Sequence, residues 1–442
     1  MRRVAGIFLQ TVRAGLRMRG FWLLVALLVA TAVGLPRGLR GDGTVEGSYD
    51  VIVRYTLGIV AFALALVGAA AGAGTMARDR GTGVLALTLV KPVRGAALFV
   101  GKWLGVLVLL ASLLALAYAL VLVPLRFGTA EDGERYASRM VSREVVGATL
   151  NDARELARAE LEQRRRAGTL PRDVPERVVL RDLTRQIEQA YDVVAGGETI
   201  AWQFDAGRKL RKGEEIGLRL TLDQQWGLIG EARGIVAARP AGVEEWLIEM
   251  MVEGAVLQEI EVPFAGWNAA GTSKFEARFT NAGEEDSEPV LIHPKRGVAL
   301  LVYGKNFWAN AARAYAAQLA LIAVFAALGV MLGGAFSMPV AAFVCAVLYV
   351  LAMISPALKE EAMDDEGEER GFVFRAGQGI TVVLEKGFSS LLAPEPLTKL
   401  TRGEKISEEM LGRSLWIGLV GFPLLAMLGL HGILRLRASQ EE

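Results

Sequence analysis

Long uncharged, strongly apolar blocks constrain the fold of this chain more than any other feature. They run over Gly20–Pro36, Tyr55–Ala77, Trp103–Leu125, Ala314–Leu358 and Ser414–Leu434. A helix needs about 20 apolar residues to cross the hydrocarbon core of a bilayer. Ala314–Leu358 is about twice that length, so it predicts two helices with a reversal at 333–339, where Gly and Pro are concentrated. The sequence therefore predicts an α-helical polytopic membrane protein with six transmembrane helices.

The first 20 residues predict an amphipathic helix that lies on the membrane surface. Five arginines (Arg2, Arg3, Arg13, Arg17 and Arg19) alternate with apolar residues near helical spacing, which is typical of helices on anionic membranes. A cleaved signal peptide is the alternative for this segment and the block after it. The basic region is long for a signal peptide and no A-x-A site follows the apolar core, so a retained first span is favoured.

A large domain is predicted between the third and fourth spans. Residues 126–196 are densely charged and show helical spacing, which indicates one or two solvated helices. Residues 197–303 contain short runs typical of strands, separated by Gly, Asn and Asp. The predicted strands are Thr199–Phe204, Ile216–Leu222, Glu245–Val252, Leu257–Phe264, Lys274–Thr280, Val290–His293 and Val298–Tyr303. Such regular spacing predicts a β-sandwich within an inserted α+β domain.

These patterns divide the chain into seven segments. They are an amphipathic helix (1–20), transmembrane helices 1–3 (21–125), the charged helical segment (126–196), the β-sandwich (197–303), transmembrane helices 4–5 (304–358), a polar loop (359–413), and helix 6 with a tail (414–442). The polar loop begins with an acidic patch at 360–369. That patch lacks the spacing of a calcium-binding loop, so a solvated surface is favoured over a calcium site.

Lys and Arg are concentrated in three short segments, and this distribution predicts the orientation. These segments are the N-terminus, residues 78–102 and the C-terminal tail, which six spans would place on one side of the membrane. Because short cytoplasmic segments carry an excess of positive charge, both termini and the 78–102 loop are predicted to be cytoplasmic. The β-domain and the 359–413 loop then lie outside, and the predicted location is the inner (cytoplasmic) membrane of a cell.

Sequence motifs for catalysis and nucleotide binding are missing. The nearest P-loop candidate, Gly95 to Trp103, has the wrong glycine spacing and a Trp where Ser or Thr should contact magnesium. The two histidines, His293 and His431, are far apart, which disfavours zinc and histidine-based catalysis. A net charge of +1 argues against a nucleic-acid partner. The prediction is a non-enzyme with no catalytic, metal or cofactor site of its own.

The 78–102 loop resembles the equivalent loop of permease subunits of type-2 ABC exporters. Those loops run from an acidic residue and Gly-Thr through a leucine-rich stretch and Pro-Val to a basic residue, and then to Gly-Lys. The matching positions are Asp79, Gly81, Thr82, Leu85, Leu87, Pro92, Val93, Arg94, Gly101 and Lys102. The basic N-terminal helix also resembles the elbow helix of that family. The segment Gly304–Tyr349 is similar to permeases of planctomycete-like bacteria that carry a large insertion.

The resemblance implies a separate ABC ATPase subunit that binds ATP and Mg and docks on residues 79–92. It also implies a homodimer, or a heterodimer with a second permease, embedded in membrane lipid. A short helix over 80–90 would expose Leu85 and Leu87, which could dock into a partner's groove or lie on the membrane as an ordinary connector. The alternative function is a non-transporting sensor or envelope scaffold that displays the β-domain. The sequence does not indicate the cargo.

Overall fold

The computed structural model describes two compact units of this chain. The described residues are 2–38, 45–83, 95–127, 136, 140–149, 153–167, 169, 176–224, 231–246, 248–255, 259–264, 267, 269–283, 289–304, 306–364 and 395–438. One unit comprises Met1–Val141 with Asn306–Glu442, and the other is Ser142–Lys305. We call the first the helical unit and the second the sheet unit. The acidic patch at 360–369 lies outside the residues whose side chains the structure describes.

The helical unit consists of long apolar helices with shorter ones beside them. Its helices are α1 (Arg2–Arg17), α2 (Arg19–Gly38), α3 (Val45–Asp50), α4 (Thr56–Gly81), α5 (Gly95–Phe127), α8 (Phe307–Gly333), α9 (Met338–Asp364), α10 (Glu395–Thr401), α11 (Glu408–Leu415) and α12 (Phe422–Ala438). A π-helical turn, Val51–Tyr55, joins α3 to α4, and another, Trp416–Gly421, joins α11 to α12. The sheet unit contains α6 (Ala153–Ala167) and α7 (Glu176–Gln189).

Five helical stretches within the described residues are long and apolar enough to cross a membrane. They are Arg19–Pro36, Gly47–Gly81, Gly95–Phe127, Phe307–Gly333 and Glu408–Arg435. Helix α9 adds a shorter apolar stretch, Met338–Leu351. The chain reverses between α8 and α9 at residues 334–337, within the predicted range. The helical unit is therefore compatible with a multi-pass membrane protein.

Small residues let α4 and α8 pack with their backbones in contact. A methyl group added at Gly72 would lie 2.6 Å from the Ala326 carbonyl oxygen, and one at Gly333 would lie 2.5 Å from that of Ala73. Adding one at Gly329 would force it into the backbone of Ala69. Close approach through Gly and Ala is the usual way in which apolar helices associate in membranes, where burial from water cannot drive packing.

Hydrogen bonds fix α8 to its neighbours along its length. The Asn310 amide donates to the Glu404 carbonyl oxygen at 2.7 Å and accepts from the Ile406 backbone N–H at 2.9 Å. Deeper in the unit, the Tyr118 hydroxyl donates to Gln318 Oε1 at 2.9 Å. Because buried polar groups are costly when unpaired, these bonds specify how α8 sits against α5 and the segment before α11.

The described residues of the sheet unit form eleven strands in three sheets. The strands are β1 (Ser142–Gly147), β2 (Asp192–Val194), β3 (Thr199–Asp205), β4 (Glu215–Thr221), β5 (Asp223–Gln224), β6 (Glu231–Pro240), β7 (Ile248–Ala255), β8 (Glu259–Pro263), β9 (Lys274–Asn281), β10 (Val290–Ile292) and β11 (Val298–Gly304). The sheet orders are β1-β11-β4-β8, β2-β10-β5 and β3-β9-β6-β7. Every strand pair is antiparallel within these sheets.

Alternating residues from all three sheets share one hydrophobic core. It includes Phe204 of β3, Leu218 of β4, Phe279 of β9, Ile292 of β10 and Leu300 of β11, all nearly inaccessible to solvent. β9 shows the pattern clearly, because its buried residues alternate with partly exposed ones. This alternation is what a sheet with one covered face requires.

Four strands lie where the sequence analysis did not expect them: β1 and β2 fall inside 126–196, and β5 and β6 follow Leu222 in a stretch with no predicted strand. The two longest of these are β1 and β6. β1 falls inside 126–196, which was predicted to be helical, and pairs with β11 from Ser142–Gly304 to Gly147–Ala299. β6 was not predicted, yet it lies inside its sheet between β9 and β7. Both depend on partners that are distant in sequence, and that dependence is invisible to local patterning.

Ion pairs secure the edge of the sheet unit near the turn after β3. The Arg208 guanidinium bonds Glu214 at 2.8 Å and Glu144 of β1 at 3.1 Å. The hydrogen bond from Arg208 lowers the pKa of the Glu214 carboxyl below its usual value. Arg143 of β1 pairs with Glu261 of β8, which also accepts from Arg219 of β4 at 3.1 Å.

Candidate coupling site

The candidate site residues from the 78–102 segment fall into two groups in the structure. Asp79 and Gly81 lie in the last turn of α4, with Thr82 directly after it, and Gly101 and Lys102 lie in the second turn of α5. The remaining predicted positions, Leu85, Leu87, Pro92, Val93 and Arg94, lie outside the described residues. The structure therefore describes the two ends of the segment, in the last turn of α4 and the first turns of α5.

An ion pair joins the two ends of the segment. Lys102 Nζ lies 2.6 Å from Asp79 Oδ2 and also donates to the Thr75 carbonyl oxygen at 2.8 Å. The Lys102 side chain is only 7% exposed, whereas that of Asp79 is 27% exposed. Removing either partner would leave a largely buried charge unpaired, which is strongly destabilising. The pair therefore fixes the start of α5 against the end of α4.

Arg80 ties the same end of α4 to the turn between α8 and α9. Its guanidinium donates to the Phe336 carbonyl oxygen at 3.0 Å and to that of Gly334 at 3.4 Å. The sequence motif does not include Arg80. Its contacts join positions 254 and 256 residues apart in the chain, so local patterning gave no signal for them.

Gly101 is required because α1 packs directly on α5. A methyl group at Gly101 would lie 2.8 Å from Ile7 and 3.2 Å from the Val4 carbonyl oxygen. One turn further along, a methyl at Gly105 would lie 2.7 Å from Thr11. The sequence analysis selected Gly101 from the motif but missed Gly105, although Gly at four-residue spacing on an apolar helix is a known packing signal.

Gly81 and Thr82 lie at an exposed helix end. A methyl at Gly81 would meet nothing within 4 Å, so packing in the described structure does not require glycine there. The Thr82 hydroxyl donates to the Arg78 carbonyl oxygen at 3.0 Å, and Gly83 has φ +71°, which terminates α4. These residues are thus accessible from outside the helical unit.

The described ends of the segment are joined to each other and to two further parts of the helical unit. Asp79–Lys102 joins α4 to α5, Arg80 binds the α8–α9 turn, and Gly101 packs against α1. Within the described residues, no group of three or more His, Cys, Asp or Glu side chains could hold a metal ion.

Comparison with protein families, with characterised proteins and with solved structures gave no significant match to this chain.

Proposed function

We propose that this chain is the transmembrane permease subunit of an ABC transporter of the exporter type. A separate ATPase subunit would dock on residues 79–92 and supply the energy, with ATP and Mg bound in that partner. The permease would work as a homodimer or as a heterodimer with a second permease. The chain itself would hydrolyse nothing.

The observation that carries the proposal is the anchoring of both ends of the 78–102 segment. Asp79, Arg80, Gly101 and Lys102 are held by α1, α5 and the α8–α9 turn, while Gly81 and Thr82 are exposed beside them. A segment whose two ends are anchored in this way can receive a partner and move the helices to which those ends are bound. An ordinary interfacial connector would not need an almost fully buried lysine at its end.

The finer architecture belongs to the same proposal. We assign α9 as the sixth span, since it is apolar over Met338–Leu351 and its helix continues to Asp364. We infer that the two four-stranded sheets face each other as a β-sandwich, because their buried residues form one cluster. The positive-inside rule then places both termini and the 78–102 segment in the cytoplasm and the sheet unit outside.

Purification from native membranes with aspartate substitutions tests the docking of the ATPase. We expect wild type to co-purify with an ABC ATPase in a mild detergent, and Leu85→Asp and Leu87→Asp to lose it. The physical reason is that burying an unpaired carboxylate in an apolar groove costs several kcal/mol. The measurement is the ATPase-to-permease ratio by quantitative mass spectrometry.

The matched control is Ala96→Asp, which places the same charge on an exposed position in the first turn of α5. An acidic residue is favourable at a helix N-terminus, so this variant should fold and keep the ATPase. Wild type without any ATPase, under conditions that preserve other membrane complexes, would favour a scaffold that displays the sheet unit. If both leucine variants retained the ATPase, residues 79–92 would be excluded as its docking site.

A further inference from the structure

The helical unit contains a cavity between α1, α2, α4 and α5. Its volume is about 360 Å³, which falls in the range of small-molecule sites, roughly 300–1,000 Å³. Most of the lining is apolar, including Ile7, Leu24, Val67, Ala71, Leu109 and Leu110. Nothing in the proposed coupling function uses this space.

Polar and apolar lining residues are separated along the cavity. The lining residues of α4 run from Val67 to Asp79, about 18 Å along the helix axis at 1.5 Å per residue. Val67, Ala70 and Ala71 lie at one end of this stretch, and Thr75, Arg78 and Asp79 lie at the other. The cavity is therefore a long apolar slot with charges at one end, within a unit whose helices suit a membrane.

The charged end carries a net positive charge. Of the described residues that line the cavity, three are charged: Arg78, Lys102 and Asp79. Asp79 is paired with Lys102, while the Arg78 guanidinium contacts Met18 Sδ at 3.8 Å and has no described carboxylate within 4.0 Å. Arg78 is exposed, so its donors are available to an anion at the cavity mouth.

We propose that this cavity binds an anionic phospholipid, with an acyl chain in the slot and the headgroup phosphate on Arg78. A slot of about 18 Å matches an acyl chain, because one leaflet is half of a hydrocarbon core about 30 Å thick. The guanidinium offers the paired N–H donors that recognise phosphate. A zwitterionic lipid would fill the slot equally well, but its cationic group gains nothing from a positively charged mouth. The lipid would underlie α1, beside the Asp79–Lys102 pair.

Native mass spectrometry of the delipidated chain tests the site with two probes, dioleoyl phosphatidylglycerol and dioleoyl phosphatidylcholine. We expect one tightly held phosphatidylglycerol per chain and weaker binding of phosphatidylcholine. Arg78→Gln should weaken phosphatidylglycerol binding about tenfold, the equivalent of one charge-assisted hydrogen bond. The same substitution should weaken phosphatidylcholine binding by a smaller factor, because losing one positive charge also relieves repulsion of its choline group. The control Arg17→Gln removes an exposed arginine of α1 that does not line the cavity, and should change neither lipid.

A second variant tests the apolar slot independently of charge. Ala70→Leu adds bulk inside the cavity and should reduce the binding of both lipids, whereas Ala26→Leu on the exposed side of α2 should not. Equal affinity for the two lipids, an equal loss in Arg78→Gln and Arg17→Gln, or full binding to the Ala70→Leu chain would each overturn the proposal. A non-lipid molecule retained in the cavity and not displaced by phosphatidylglycerol would overturn it too. These measurements need no ATPase, so their failure is distinguishable from failure of the permease assignment.

Discussion

Single glycines set how closely the chain approaches itself in both units. In the helical unit, Gly329 faces the backbone of Ala69, and in the sheet unit Gly234 of β6 lies under the ring of Phe279. A methyl group at Gly234 would also lie 2.8 Å from the Thr280 carbonyl oxygen. Backbone atoms and a buried ring cannot move aside like the end of a flexible side chain. At these positions the absence of a side chain is a packing requirement.

Gly234→Val tests this requirement in the sheet unit. Overpacking a well-filled core costs about 1–3 kcal/mol, so amides of β6 and β9 should exchange with solvent deuterium roughly tenfold faster or more. The measurement is hydrogen–deuterium exchange of the full chain by mass spectrometry. Gly147→Val in β1 is the control, because a methyl there meets nothing within 4 Å. Unchanged protection of β6 and β9 would show that the ring of Phe279 can be repositioned without cost.

The sequence indicated the motif residues of the candidate site, but it did not indicate their contacts. Asp79 and Lys102 were selected from the order of residue types in one segment. Their ion pair, and the bonds from Arg80 to Gly334 and Phe336, join positions far apart in the chain. Such contacts depend on how α4, α5 and α8 pack, which local spacing does not encode.

At the scale of elements, the contact between α4 and α8 is the main junction described in the helical unit. Three glycines on the two helices pack directly against the backbones of three alanines along several turns. The pairs are Gly72 with Ala326, Gly329 with Ala69, and Gly333 with Ala73. Apolar helices in lipid gain little from hiding apolar surface, so close packing of small residues supplies their association. Disturbing one glycine in this junction should loosen the helices around it, including α9.

Gly329→Leu should lower the thermal stability of the helical unit, because the new side chain would force α4 and α8 apart. The thiol of Cys345 in α9 reports this loss of packing directly, since Cys345 is the chain's one cysteine and is fully buried. We expect a thiol-reactive dye to label it at a temperature several degrees lower than in wild type, in line with a loss of about 1–3 kcal/mol. Gly34→Leu is the control, since a methyl at Gly34 meets nothing within 4 Å. Equal labelling curves for both variants would contradict the packing account.

Strong local signals made some elements predictable, and weak ones hid others. The apolar blocks located the long helices because the hydrocarbon core excludes charge. The alternating residues of β9 identified it as a strand. β6 was missed because Glu231–Pro240 contains Gly, Pro and three Ala, residues with little β-preference. Its place inside the sheet comes from pairing with β9 and β7 over their full lengths.

At the scale of the whole molecule, the two units differ in the kind of side chain that they expose. The helical unit exposes large apolar side chains, such as Leu23, Phe343 and Leu425, on several helices, which suits contact with lipid or a second membrane subunit. The sheet unit instead exposes charged residues paired across strands, as in Arg233–Glu253. This contrast is compatible with a membrane-embedded part that carries a water-exposed domain. In the proposed permease, energy enters at the 78–102 segment.

Site-specific cross-linking in intact membranes tests that claim most directly. In a Cys345→Ser background, single cysteines are introduced by Leu85→Cys, Leu87→Cys and, as a control in the sheet unit, Lys209→Cys. Each carries a short thiol-linked photo-cross-linker, and the products are identified by mass spectrometry. The account predicts adducts with an ABC ATPase from positions 85 and 87 and none from 209. Absence of ATPase adducts at 85 and 87, or equal adducts at 209, would contradict it.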